Sequence, residues 1–308
     1  MAEKISIIMN CYNGEKYLDI AIRSVINQTY KNWELIFYDN CSSDRSKNIF
    51  FEYKKNNNKL KYFKSKKKEK LGVARYNALK KIKGSLFLFF DCDDYLLPKK
   101  IKTQIKYFKK KTGAVYSNSL FFSGFRKKKI YGNNEKKIKK TFYNLIENYN
   151  LSLDTVIFNT KEVKKLNHAL DKRFDLIHDL DLLIRLSKFS KINYCPLVLS
   201  HWRAHNTSSS NNAFKKFAYE KKIFEKKIID TYPNDKKLKL SLNKFTQKRL
   251  YEEYIGYLIN DEKLNAKRIL NNIHNTNYKI IFFILLKIPF SKFFTKLIIH
   301  ILKTIFLR

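Results

Sequence analysis

The sequence has few of the residues that cross-link or stiffen small extracellular folds. Only four cysteines and four prolines occur in 308 residues, and the cysteines stand far apart, at positions 11, 41, 92 and 195. There is no C-x-x-C pair and no His–Cys cluster with zinc spacing, which excludes a disulfide framework and a zinc finger. We therefore expect reduced thiols in a cytosolic protein.

Long apolar runs are also missing. The uncharged stretches near the C-terminus fall well short of the ~20 residues that cross a bilayer. The N-terminus lacks the basic, apolar and small-residue order of a signal peptide, so Ile5–Met9 is predicted to be a first strand. Within Tyr278–Arg308, Lys292, Lys296 and His300 recur every fourth position and share one helical face. This pattern favours an amphipathic tail at the membrane interface; a terminal helix packed on the protein is the alternative.

Acidic residues are scarce. The sequence has 64 Lys and Arg against 27 Asp and Glu, which gives a formal net charge of +37. Such an excess of positive charge indicates negatively charged binding partners, namely nucleic acid, anionic lipid or phosphorylated substrates. With 20 Tyr and 25 Phe, a basic, aromatic nucleic-acid-binding protein is one alternative. An anionic membrane surface is the partner that also fits the amphipathic tail.

Apolar runs of strand length alternate with segments of helical spacing from Lys4 to Phe90. Strands are predicted at Ile5–Met9, Trp33–Tyr38, Lys59–Phe63 and directly before Asp91, with helices at Glu15–Gln28, from Arg45 and at Val73–Ile82. This order predicts an α/β fold with a mostly parallel central sheet and flanking helices. Further on, the patterns predict strands at Gly113–Ser117 and Leu151–Asn159, a loop over Phe125–Lys140, a helix at Asp179–Ser187 and a C-terminal helical region at 213–277.

The most informative segment is Asp91-Cys92-Asp93-Asp94, which follows the apolar run that ends at Phe90. Its carboxylates cannot belong to the core, because unpaired buried charges are too costly. Ligands of open α/β sheets bind beyond the carboxyl ends of strands, and clustered acidic oxygens suit Mg²⁺ or Mn²⁺. The segment therefore predicts a metal that holds a substrate phosphate; an acidic turn that caps the next helix is the alternative.

Five segments in order resemble glycosyltransferase family 2. They are Ile5–Leu18, Ala21–Tyr30, Trp33–Asp44, Gly72 with Arg75, and Gly84 to Asp94, and the similarity returns near 178–205. The resemblance implies a GT-A fold with residues 1–212 as the catalytic domain, in which 1–100 bind the nucleotide sugar and 101–212 bind the acceptor. It also implies sugar transfer from a nucleotide sugar with inversion at the anomeric carbon.

The resemblance also assigns roles to residues of the first half. Tyr12 would pack on the donor base, Asp39 would accept from its N–H, and Arg75 would approach the nucleotide or diphosphate. Asp93 would ligate the metal, Mn²⁺ or Mg²⁺, and Asp91 would lie near the ribose or behind the metal. Alternatives by residue type are a packed strand-end aromatic for Tyr12, a turn residue for Asp39 and a surface helix position for Arg75.

Ser200–Ser208 resembles the aromatic-Arg-x-His segment found later in the family. Arg203 would contact the diphosphate, which suits a planar guanidinium. His205 would be a further metal ligand or a donor to the diphosphate.

A general base must take the proton of the attacking acceptor hydroxyl. Ile177–Arg185 is similar to the family's Glu-Asp…Asp-Leu…Arg segment, which places the base at Asp179. Asp181 is the fallback base, although Asp181 and Arg185 stand four residues apart, a spacing typical of a structural pair. His178 replaces the glutamate of the family pattern.

Together these features predict a cytoplasmic glycosyltransferase, peripheral at the inner face of the cell membrane, with no nucleic-acid partner. Its donor would be a nucleotide sugar, expected to be a UDP-sugar, and its acceptor a glycan or glycolipid of the cell surface. A catalytically inactive relative that serves as a membrane scaffold is a further alternative, motivated by His178 and by Tyr76, where the family commonly has asparagine.

Overall fold

The computed structural model describes residues 3–123, 126–132, 139–203, 213–274, 279 and 281–283. The chain divides into two compact units, each with its own hydrophobic cluster. Unit 1 comprises Met1–Phe142 and Leu151–Asn206, and unit 2 comprises Tyr143–Asn150 and Thr207–Arg308. All four cysteines are described, and all are free thiols, as predicted.

The first half of unit 1 alternates strands and helices, as predicted. Its elements are β1 (Ile5–Cys11), α1 (Glu15–Ile26), β2 (Trp33–Asp39), α2 (Ser46–Lys54), β3 (Leu60–Lys64), α3 (Leu71–Leu79) and β4 (Leu86–Phe89). β1 pairs in parallel with β2 and with β4, and β2 pairs in parallel with β3. The helical spacing predicted for α1 is confirmed, because Leu18, Ala21, Ile22 and Val25 are all buried.

The remaining elements up to residue 203 widen this sheet. They are β5 (Tyr95–Leu96), α4 (Lys100–Gln104), β6 (Thr112–Ser123), β7 (Arg126–Lys129), α5 (Phe142–Glu147), β8 (Val156–Asn159), α6 (Thr160–Val163), α7 (His178–Ser187) and β9 (Lys191–Arg203). Of these, α5 belongs to unit 2 from Tyr143 onward. The described strands run in the order β3-β2-β1-β4-β8-β6-β9-β5, with β7 beside β6. β8 is antiparallel to both of its neighbours, whereas β6 and β9 are parallel. The result is an α/β sheet that is parallel in its first half and mixed in its second.

Three segments differ from the sequence prediction. In Leu151–Asn159, predicted as a strand, only Val156–Asn159 is a strand and Leu153–Thr155 forms a 3₁₀ helix. Arg126–Lys129, predicted as part of a loop, forms β7 and pairs with β6. The strand was missed because four consecutive basic residues lack the apolar alternation of a strand. Charged residues of this kind are common on the edge strands of sheets. β9 was not predicted because Pro196 interrupts it, yet Pro196 falls where the pairing with β6 shifts register. A register shift is a place where a sheet tolerates proline.

Unit 2 is helical, as predicted for this region. Its main helices are α8 (Phe214–Thr231), α9 (Lys236–Ile259) and α10 (Lys263–Asn271). Phe282 is fully buried in the same cluster, with its ring 4.4 Å from that of Tyr254. A truncation that spares this core must therefore begin after Phe283. None of the described helices has the length and apolar character that a bilayer crossing requires.

A buried carboxylate ties β1 and β2 together at the end of the sheet where both strands begin. Glu34 is 3% exposed and accepts hydrogen bonds from Ser6 Oγ (2.6 Å), Lys4 Nζ (2.9 Å) and the Lys83 main-chain N–H (2.8 Å). Burial raises the pKa of Glu34, but the three hydrogen bonds outweigh it and hold the pKa below its usual 4.5. Such a carboxylate stabilises the fold above its unfolded pKa, and its contribution is lost as the pH falls through the folded pKa.

We expect Glu34→Gln to lower the free energy of unfolding by about 1–3 kcal/mol at neutral pH, because an amide cannot accept all three bonds. The deficit should shrink at about pH 3.5, since this pH lies below the usual pKa of 4.5, so the unfolded chain then binds the proton and part of the stability from the lowered native pKa is lost. Urea unfolding at the two pH values measures this. Glu52→Gln, at an exposed position, should follow the wild type. A deficit that is the same at both pH values would contradict the prediction.

Candidate active site

The parallel strands of unit 1 bring the predicted donor-site residues to one edge of the sheet. In the β1–β2 register Cys11 stands opposite Asp39, and in the β1–β4 register Ile8 stands opposite Phe89. Because the carboxyl ends of parallel strands lie at the same edge, Tyr12, Asp39 and the segment that starts at Asp91 are neighbours there.

The β1–β2 end of this edge presents an exposed ring beside an anchored carboxylate. Asp39 is 1% exposed; its Oδ1 accepts the Ser42 main-chain N–H at 2.8 Å and its Oδ2 accepts the Tyr62 hydroxyl at 2.7 Å. Burial, reinforced by this bond, raises the pKa of Tyr62. Tyr12 is 44% exposed, and the ammonium of Lys68 lies 3.9 Å from its ring centroid. The ring is thus accessible to a stacking partner and already attracts a cation.

The acidic turn after β4 gathers three carboxylates. One oxygen each from Asp91, Asp93 and Asp94 lies within 4.8 Å of the others. An all-oxygen set of this kind fits a hard divalent cation such as Mg²⁺ or Mn²⁺. Asp94 is nearly buried, and burial, followed by the charge of Asp154, raises its pKa well above the usual value. Asp91 and Asp93 are therefore the carboxylates of the turn that solvent reaches.

Arg203, at the end of β9, is fixed against this turn. Its main-chain N–H donates to Asp94 Oδ1 and its Nε donates to the Asp93 carbonyl, each at 3.0 Å. The alternative of an acidic turn that caps the next helix is wrong, because the residue before α4 is Lys99 and no side chain caps it, and the Asp94 carboxylate accepts from β9. The Arg203 guanidinium also lies 4.5 Å from the ring centroids of Tyr17 and Phe122. His205 falls outside the described residues, so its role stays a prediction.

Arg75 connects the acidic turn to α7. It is 5% exposed, so the surface alternative suggested by its residue type is wrong. Its Nη2 forms an ion pair with Asp91 Oδ1, and its Nη1 contacts Nε2 of His178. Asp179, the predicted base, follows directly on α7 and is half-buried. The structure thus brings both predicted arginines, Arg75 and Arg203, to the acidic turn, and sequence reasoning missed His178 as the second partner of Arg75.

Asp181 belongs to a structural pair, as predicted. Its side chain is fully buried, and Arg185 donates to Asp181 Oδ2 from Nε (3.0 Å) and Nη2 (2.6 Å). Arg185 also donates to the carbonyls of His168 and Ala169. These bonds commit Asp181 to holding the preceding loop, which leaves Asp179 as the candidate base on this helix.

The structure resembles solved glycosyltransferases. One is Staphylococcus aureus TarS 1–349 in complex with UDP-GlcNAc, at a TM-score of 0.62 and 20% identity, over 82% of this chain and 72% of that one. The chain spans 43% of a longer TarS structure. Another is the mannosyltransferase PcManGT from Pyrobaculum calidifontis in complex with GDP-Man and Mn²⁺, at a TM-score of 0.59 and 12% identity, over 88% of this chain and 75% of that one. The fold is GT-A.

Residues 6–161 match the model of glycosyl transferase family 2. The chain is 30% identical over 215 residues to the Escherichia coli enzyme WfaP, a UDP-Glc:alpha-D-GlcNAc-diphosphoundecaprenol beta-1,3-glucosyltransferase, with 70% of this chain and 82% of WfaP covered. The chain belongs to glycosyltransferase family 2 and is a glycosyltransferase.

A close backbone approach holds the start of α3 against the segment before α7. The Gly72 N–H donates to Asp175 Oδ1 at 3.0 Å, and a Cβ on Gly72 would lie 1.9 Å from the Phe174 carbonyl oxygen. The atom that such a Cβ meets is backbone, so it cannot rotate away. Only glycine at position 72 therefore allows α3 to come close enough to the segment before α7 for Arg75 to contact His178.

We expect Gly72→Ala to destabilise the protein by about 1–3 kcal/mol in urea unfolding, because the added methyl group must push two backbone segments apart. Helix propensity alone predicts the opposite sign, a gain of about 0.5–1 kcal/mol. Gly132→Ala is the matched control, since a Cβ at this position meets no atom within 4 Å. A stabilised Gly72→Ala variant would show that the close approach does not constrain the fold.

Proposed function

We propose that the protein is an inverting, divalent-metal-dependent glycosyltransferase that moves a sugar from a UDP-sugar to a lipid-linked or other cell-surface glycan. The observation that carries the proposal is the acidic cluster of Asp91, Asp93 and Asp94, with Arg75 and Arg203 bonded to it. The names of the relatives support the substrates: WfaP is a UDP-Glc transferase that acts on a diphosphoundecaprenol-linked sugar, and TarS was solved with UDP-GlcNAc. A nucleic-acid-binding role would leave the acidic cluster without a purpose.

The donor subsite we propose follows the edge of the sheet. Tyr12 offers an exposed ring for stacking of the base. Asp39 is held by two donors, and an oxygen with a remaining lone pair accepts the base N–H. Asp91 lies near the ribose, and Arg75 approaches the diphosphate. Arg203 contributes the second guanidinium, a group whose planar donors match phosphate oxygens.

The metal subsite we propose uses Asp93 as the ligand, with His205 as a further ligand from outside the described residues. When bound, Mn²⁺ or Mg²⁺ supplies Lewis-acid stabilisation of the charge on the diphosphate leaving group. The cluster fits such an ion because its accessible donors are carboxylate oxygens. Within the chain, residues 1–212 would form the catalytic domain, with the acceptor bound by 101–212.

Asp179 would act as the general base. Its carboxylate takes the proton of the acceptor hydroxyl while the hydroxyl oxygen forms a bond to the anomeric carbon. The bond from that carbon to the diphosphate oxygen breaks with its electron pair, so the configuration inverts and a nucleoside diphosphate leaves. Half-burial at the start of a helix keeps the carboxylate accessible to an acceptor.

We expect Asp93→Asn and Asp179→Asn each to lower sugar transfer by at least about 100-fold, the usual range for a lost acid–base or charge-stabilising group. Their binding phenotypes should differ. Asp93→Asn should weaken Mn²⁺-dependent UDP binding, measured by titration calorimetry, whereas Asp179→Asn should bind UDP like the wild type.

Asp230→Asn is the matched control for this pair, because Asp230 lies exposed on α8 in unit 2. It should retain both transfer and UDP binding. Transfer at the wild-type rate in either Asp93→Asn or Asp179→Asn would overturn the assigned role, and equal UDP binding in all four proteins would remove Asp93 as the metal ligand.

The C-terminal tail is the part of the chain that we propose attaches the enzyme to the inner face of the cell membrane. Its polar positions Lys292, Lys296 and His300 lie outside the described residues, so the support comes from the sequence pattern and from the net charge of +37. The buried Phe282 sets the boundary for a test, because removal of residues from 278 onward would also open the core of unit 2.

We expect a protein truncated after Phe283 to lose co-sedimentation with vesicles that contain anionic phosphatidylglycerol, while UDP binding is unchanged. Lys292→Glu with Lys296→Glu in the full chain should weaken the same binding by reversing the charge of the tail face. Neutral phosphatidylcholine vesicles serve as the control. Undiminished sedimentation of the truncated protein would place the membrane contact elsewhere.

A further inference from the structure

His178 is a buried histidine to which the proposed reaction gives no role. It begins α7, is 2% exposed, and has a hydrogen-bonding neighbour at each ring nitrogen. Nδ1 lies 3.3 Å from the Asp175 carbonyl oxygen, and Nε2 lies within hydrogen-bond distance of Arg75 Nη1. A guanidinium has donors and no acceptor, so Nε2 must accept, whereas the carbonyl requires a proton on Nδ1. The two neighbours therefore define a neutral ring with its proton on Nδ1.

The surroundings of His178 favour this neutral state. Burial, followed by the charge of Arg75, lowers the pKa of His178 well below its usual value, and the bond to the Asp175 carbonyl opposes them without prevailing. A second proton on the ring would sit on Nε2, where its N–H would face the N–H of Arg75 with no acceptor between them. The neutral ring satisfies both contacts.

Arg75 is thereby held from two sides. Asp91 pairs with its Nη2 and His178 accepts from its Nη1. The three side chains come from three separate places in unit 1: α3, the turn after β4, and the start of α7. A second bond, from the Gly72 N–H to Asp175, joins α3 to the segment before α7. Since Asp179 follows His178 directly, the element that carries the proposed base also orients the arginine of the donor subsite.

We propose that His178 is a positioning residue whose neutral imidazole fixes the Arg75 guanidinium on Asp91 for contact with the donor diphosphate. This inference rests on the proposed function, in which Arg75 approaches that diphosphate. His178 stands where the family pattern has a glutamate, so in this chain the acceptor on Arg75 carries no charge. Of the two acceptors described on Arg75, Asp91 is then the charged one, so positive charge remains for an incoming phosphate, and charge-assisted bonds of this kind are the stronger ones.

The protonation state of the ring can be measured without any sugar nucleotide. Two-bond proton–nitrogen spectra of the full chain with nitrogen-15-labelled histidine report which ring nitrogen is protonated. The His178 signals are assigned by their loss in His178→Gln. We expect a neutral ring with its proton on Nδ1 near neutral pH. An imidazolium, or a proton on Nε2, would overturn the proposal.

Two amide substitutions separate the two contacts. The carboxamide of His178→Gln reaches the position of Nε2 and can accept from Arg75, whereas that of His178→Asn reaches only the position of Nδ1 and keeps the Asp175 contact. We expect His178→Asn to weaken Mn²⁺-dependent UDP binding by about tenfold, the effect of one lost bond to a charged group. His178→Gln should stay within about threefold of the wild type.

His168→Asn is the control, because the side chain of His168 is 45% exposed and lies next to Asp171. It should leave UDP binding unchanged. Equal affinity in His178→Gln and His178→Asn would overturn the positioning role, whether both bind like the wild type or both fail. If the wild-type protein binds no UDP, the proposed function fails, and the ring spectra still decide whether His178 holds Arg75 in the stated way.

Discussion

A buried guanidinium constrains the whole candidate site. Arg75 is 5% exposed, and a charge in that position is tolerated only when acceptors meet its donors. Asp91 supplies one acceptor from 16 residues further along the chain, in the turn after the next strand, and His178 supplies the other from 103 residues away. The parallel pairing of β1 with β4 delivers Asp91, and the close approach at Gly72 delivers the start of α7. The contacts of Arg75 therefore hold the acidic turn after β4 against the start of α7, the helix that carries the candidate base.

The acidic turn solves a different electrostatic problem. Carboxylates this close repel, and a repelled, buried carboxyl holds its proton more strongly. The three carboxylates do not share this repulsion equally. Asp94 is buried and has a raised pKa, whereas Asp91 is paired with Arg75. The main-chain carbonyl of Asp93 accepts a hydrogen bond from Arg203. The three acids, alike in sequence, therefore have three different environments.

Local patterns predicted the sheet, the helices and the acidic turn, because apolar periodicity records which faces are buried. The order of the family motifs then pointed to Asp39, Arg75 and Arg203, although residue type alone favoured a turn position for Asp39 and a surface position for Arg75. What stayed hidden depends on contacts over long sequence distances. The hydrogen bond from Tyr62 to Asp39 depends on strand register, and the contact of His178 with Arg75 depends on the close backbone approach at Gly72. Neither can be read from a short stretch of sequence. β7 and β9 were missed where lysines or a proline replace the apolar alternation.

Buried polar residues from neighbouring strands and helices support the acidic turn. Asp154 accepts from Ser200 on β9 at 2.6 Å, and the fully buried Lys100 donates to the Thr155 carbonyl at 3.3 Å. Burial lowers the pKa of Lys100 to about 8, although the charge of Asp154 opposes this. Ser200 also lies opposite Leu96 in the β5–β9 pairing, so β9 holds the strand that follows the turn. In the proposed metal-dependent reaction, a divalent ion would meet carboxylates that the chain already holds in place, and such electrostatic preorganisation favours catalysis.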